Sequence, residues 1–146
     1  MKLEEIQTQW ENDSKIERSD LGEASLKTPS LHSKYIKFLG DTKLLLRKSN
    51  ADYLRIRKTK TRYFRGELDK HELVVLGWEQ YQGRSPLKSE IDELIETDAD
   101  IIRLVDKIEY YSTMQMTLES IMKSISSRGW DIKNGIEWIK IQNAIV

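Results

Sequence analysis

The sequence predicts an all-α protein built of long helices in an extended subunit. Three observations carry that prediction. With 2 prolines and 7 glycines in 146 residues, few positions can interrupt a helix. Apolar residues recur at three- and four-residue spacing over stretches longer than any ordinary strand. A charged content of 33% against 38% hydrophobic suits partly solvated helices better than a dense globule.

The elements follow in order. Residues 1–12 read as a short helix with Leu3, Ile6 and Trp10 on one side. Residues 13–28, with Asp13, Ser14, Ser19, Asp20 and Gly22, read as a loop. Pro29 and Pro86 both stand where a helix should begin, the second behind Ser85 as N-cap. One long helix is expected over 30–65, with Gly40 as the place to bend and Gly66 as C-cap. A further helix is expected over 70–82 through Leu73, Val74, Leu76 and Trp78, ending in a turn at Gln82-Gly83-Arg84. Residues 86–127 read as helical with a break near Thr97-Asp98. Gly129 should close that helix, leaving a last one over about 131–145. A single domain results, with an N-terminal part (1–66), central helices (67–130) and a C-terminal helix (131–146).

Charge is unevenly placed. The chain is neutral, with 24 Lys+Arg and 24 Asp+Glu, yet 11 of the bases and only Asp41 and Asp52 fall in residues 34–65. On a helix, Arg47, Lys48, Arg55, Lys58, Arg62 and Arg65 share one stripe about 100° wide and about 27 Å long. Lys43 and Arg57 flank it, and Tyr63 adds an aromatic ring near its end. Leu31, Tyr35, Phe38, Leu45, Tyr53, Ile56 and Tyr63 fall nearly opposite and should pack on the body. Lys60 lies among those apolar positions and should snorkel toward water. Solvated helix faces normally mix signs into i,i+4 pairs, and this stripe has only Asp52 within it. It therefore points to a polyanion, with an acidic neighbouring protein or a plain solvated face as alternatives. Without a base-reading duplex motif, tracking a single strand suits a long basic helix best. The acidic segment Glu90, Asp92, Glu93, Glu96, Asp98 and Asp100 is either a solvated face or a partner for such a stripe.

Other chemistries find no residues. There is no Cys for a disulfide or a thiolate metal site. His32 and His71 belong to no catalytic pattern, and Ser126-Ser127-Arg128-Gly129 lacks the glycine spacing and Lys of a phosphate loop. No enzyme and no cofactor is expected. No apolar run approaches a membrane span, and the acidic, amphipathic start is wrong for a signal peptide, so a cytoplasmic protein is expected.

The last helix carries two apolar faces, Ile132, Ile136 and Ile139 on one and Trp138, Ile141 and Ile145 on the other. Two faces need two partners, the subunit itself and a neighbour, with burial of both in the subunit's own core as the alternative. Gly135 costs this helix about 1 kcal/mol, so packing must hold it.

Three stretches resemble the UvsY family of phage recombination mediators. They are Met1-Lys2-Leu3-Glu4-Glu5-Ile6-Gln7, the run from Leu31 to Gly66, and Ser127-Arg128-Gly129-Trp130-Asp131-Ile132-Lys133. The second includes Ser33-Lys34-Tyr35, Lys43, Ala51, Lys58 and Tyr63-Phe64. The resemblance implies a non-catalytic protein that binds single-stranded DNA and assembles as a closed ring of six or seven subunits. It also implies help in loading and stabilising a RecA-like recombinase on DNA coated by a single-strand-binding protein, inside the infected bacterium. The family's Lys-Ala-Arg-Leu DNA-binding motif falls on Lys58-Thr59-Lys60-Thr61. Lys60 thus replaces an Arg and lacks its planar fork, which Arg62 would supply. The family's C-terminal assembly region falls on the two-faced helix.

Overall fold

The computed structural model describes residues 1–145, with Ile145 described in its backbone alone. The described residues form five α-helices and one short 3-10 turn. The helices are α1 (Leu3–Asp13), α2 (Leu21–Phe64), α3 (Lys70–Leu76), α4 (Lys88–Glu96) and α5 (Ala99–Ile145), and the turn is Arg18–Asp20. The all-α expectation stands, with several boundaries moved. α2 begins at Leu21 and runs through Pro29, which was expected to start it. Proline forfeits one backbone bond there, and tertiary packing of Ala24 and Leu31 on either side offsets the loss. α2 also continues through Gly40. α5 passes through both Gly129 and Gly135, because buried Ile125, Arg128 and Ile132 hold the segment where propensity alone would end it.

Other ends follow local chemistry. Gly66 closes α2 at φ 71, with its own N–H donating to the Tyr63 carbonyl and that of Glu67 to Arg62. Gly77 closes α3 the same way, stopping it short of the expected residue 82. α4 starts at Lys88, after Pro86 and not at it, because the Glu90 carboxylate accepts the Leu87 N–H at 2.9 Å. The break at Thr97-Asp98 is present, and Asp98 Oδ1 caps α5 by accepting from the N–H groups of Asp100 and Ile101.

The chain folds into two compact units. Residues 1–43 and 112–146 form the first, and residues 44–111 form the second. In the first, α1 packs through Ile6 against the inward faces of α2 and α5, where Leu31, Tyr35, Leu39, Met114, Leu118, Ile121, Ile125 and Ile132 are buried. Trp10 and Phe38 meet the Tyr35 ring edge-on at 5.3 and 5.6 Å. The Asp13 carboxylate accepts from Lys34 Nζ (2.6 Å) and Tyr35 Oη (2.8 Å). Burial would raise the Asp13 pKa, but these two donors outweigh it and hold the group below its ordinary 3.8. Burial, and then the bond to Asp13, push the Tyr35 phenol upward.

A group with a depressed folded pKa stabilises fully above its unfolded value and loses that contribution as pH falls through the folded one. Thermal stability is therefore expected to decline below about pH 3.8 as Asp13 protonates. Asp13→Asn should flatten that limb in melts followed by circular dichroism; an unaltered limb would remove the cluster from the account.

Candidate nucleic-acid interface

The second unit contains most of the basic stripe. α2 packs there through Phe64, with Tyr53, Ile56 and Tyr63, onto Ile91, Ile95, Leu94, Ile101 and Tyr81. This apolar face is the one expected, except that Leu45 is exposed. The opposite face points to solvent. Arg47, Lys48, Lys58 and Arg65 are exposed and have no side-chain hydrogen bond or ion pair among the described residues. Lys43 is likewise exposed, but it belongs to the first unit. Leu44 and Leu54 stand exposed among these cations.

Three arginines are partly spent inside the unit. Arg55 Nη2 meets Asp52 Oδ1 at 2.7 Å. Arg57 donates to Tyr53 Oη at 3.0 Å and lies 3.7 Å from Asp92. Arg62 is half-buried and grips Glu72 through two nitrogens at 2.9 and 3.2 Å. The planar cation expected to replace the motif's missing Arg is thus already forked onto a carboxylate.

Lys60 corrects the expectation most. It does not snorkel: the residue is 6% exposed, and its Nζ lies 3.0 Å from both Asp98 Oδ2 and Asp100 Oδ2. The same Nζ sits 4.1 Å from the centre of the Trp78 ring. Burial would lower the Lys60 pKa, but the two carboxylates outweigh it and raise the group, so it stays charged. The second basic position of the motif is therefore part of the interior. Tyr63 is also committed. Its hydroxyl donates to the Glu79 carbonyl at 2.6 Å, and its ring packs against Phe64, Trp78 and Tyr81.

The acidic segment has internal partners, so it is more than a solvated face. Asp98 and Asp100 hold Lys60, Asp92 faces Arg57, and Glu90 holds Arg84 at 2.8 Å. Glu93 and Glu96 remain exposed without an ion pair among the described residues. Sequence reasoning missed Arg103, an exposed cation of α5 that lies 3.3 Å from Asp100 Oδ1 and lines a groove with Arg55. No spacing rule links positions so far apart in the chain.

On the first unit's part of α5, Ile132 is buried while Ile136 and Ile139 are half-buried. Trp138 (59% exposed) and Ile141 (50%) face solvent, and so does Trp130 on the same side of the helix. The Ile145 side chain lies outside the described residues. No described helix is long and apolar enough to cross a membrane.

Comparison with known proteins bears on this geometry. Residues 9–145 match the family model described as UvsY, recombination, repair and ssDNA binding protein. The fold is similar to crystal structures of the bacteriophage T4 recombination mediator protein UvsY. One lattice form gives a TM-score of 0.82 at 22% identity, covering 99% of this chain and 98% of that one. Another gives 0.81 at 18% identity, covering 94% and 98%. No curated protein matches the sequence. The match to the family model over nearly the whole chain shows that the protein belongs to the UvsY family, with the recombination, repair and single-stranded-DNA-binding role of that family.

Proposed function

We propose that the protein is a recombination mediator that binds single-stranded DNA along the exposed stripe of α2. In this reading it loads and stabilises a RecA-like recombinase on DNA coated by single-strand-binding protein, in the cytoplasm of an infected bacterium. It works as a closed ring of six or seven subunits and performs no catalysis. The observation that carries the reading is the set Arg47, Lys48, Lys58 and Arg65, exposed on one face and unneutralised among the described residues. Arg55, Arg57 and Arg62 border the set with charge partly spent on Asp52, Asp92 and Glu72. Each subunit then offers a few phosphate contacts, and multiplicity in a ring turns them into avidity. The exposed pair Trp138 and Ile141 supports assembly through the end of α5.

The test is fluorescence anisotropy of a labelled oligo-dT strand at two salt concentrations. Lys58→Ala/Arg65→Ala is expected to weaken binding by about tenfold or more at low salt and to flatten the salt dependence, since counterion release drives affinity. Unchanged affinity in the folded variant would refute the stripe as the DNA site. A second reading draws on Leu44 and Leu54, whose exposure among the cations suits an acidic amphipathic protein neighbour. In that case the same variant would break the assembly and leave DNA binding intact.

A further inference from the structure

Beside the stripe, within the second unit, α2 and α5 enclose an open groove of about 430 Å3, a size in the ordinary range of small-ligand sites. Ile56 and Leu104 supply its apolar surface, and Arg55, Arg103, Asp52 and Asp100 supply its polar lining. The geometry points to this groove as a slot for one nucleobase of the bound single strand, stacked against the Arg55 and Arg103 guanidinium planes. The inference rests on the DNA-binding reading above and adds where a base goes.

Three features select a base over other occupants. The lining carries two guanidiniums and two carboxylates, so it is close to neutral. A phosphate entering it would meet Asp52 and Asp100 at short range, whereas a base carries no charge. Each arginine is held by the aspartate three residues before it, Arg55 by Asp52 at 2.7 Å and Arg103 by Asp100 at 3.3 Å. Tethered guanidiniums lose less freedom when a flat ring stacks on them. Lastly, Arg55 belongs to both the groove and the stripe, so a strand whose phosphates follow Lys58 and Arg47 passes the groove mouth. Lys60 takes part without touching DNA, because its Nζ fixes Asp100 Oδ2 while Asp100 Oδ1 receives Arg103.

The experiment compares an oligo-dC strand with an abasic strand of equal length, by anisotropy, for wild type and Arg103→Ala. Arg103 is exposed, so its loss leaves the fold intact. Wild type is expected to prefer the base-bearing strand, and Arg103→Ala to lose about fivefold or more on that strand while holding its affinity for the abasic one. Equal losses on both strands would make Arg103 a phosphate contact and overturn the slot. Equal wild-type affinity for the two strands would overturn it too and leave the stripe standing as a backbone-tracking site. Failure of the wild type to bind either strand would overturn the stripe and the slot together.

Discussion

Replacing Lys60 with methionine is expected to destabilise the protein by about 3 kcal/mol, because it strips a buried cation from two carboxylates. For a chain of this size that is a fall of about 10 °C in Tm. The figure sits at the low end for broken buried pairs because the Asp100 side chain is 39% exposed and can be rehydrated. Asp98 has no such escape, since its side chain is only 14% exposed, although it keeps its second role as the cap of α5. The triple variant Lys60→Met/Asp98→Asn/Asp100→Asn should recover part of the loss, since asparagine still caps and leaves no orphaned charge. Calorimetry of the two variants checks the order. The same variants separate an interior role from a DNA contact. A direct phosphate contact would leave Tm unchanged and lower the salt slope of single-strand binding by about 0.7; that pattern would overturn the interior role.

The second large effect concerns assembly. With assembly as proposed, Trp138→Glu/Ile141→Glu is expected to reduce the mass seen by light scattering toward the 17.2 kDa single chain. Both side chains already face solvent within the subunit, so helicity should persist. DNA affinity should fall by about a hundredfold as avidity is lost. Point changes are a cleaner probe than removing residues 131–146. That deletion would also take away Ile132, which is buried in the first unit, and confound assembly with folding. A large assembly that survives both charges would refute the role of this face.

Local patterns made much of this legible. The heptad-like run through Tyr53, Ile56 and Tyr63 pointed inward as its spacing requires, and the stripe through Arg47, Lys48, Lys58 and Arg65 pointed outward. Gly66 as C-cap and the break at Thr97-Asp98 were equally readable, because positive φ and an Asp cap are one-residue decisions. Two of the misplaced boundaries share one cause. Pro29 and Gly129 weaken a helix by local preference, and α2 and α5 override them through side chains buried elsewhere along the same helix.

By itself, then, the sequence determined the helical class, the amphipathic division of α2 and the concentration of positive charge on one of its faces. These depend on spacing along a single helix, which the chain specifies without reference to anything else. Only the tertiary structure decided which cations remain free. Lys60 meets Asp98 and Asp100, Arg62 meets Glu72, and Arg103 joins Arg55 at one groove, all through contacts between elements. A charge that looks available on a helical wheel is available only if no carboxylate from another element reaches it. Coulombic pairing acts over a few ångströms of space and takes no account of distance along the chain.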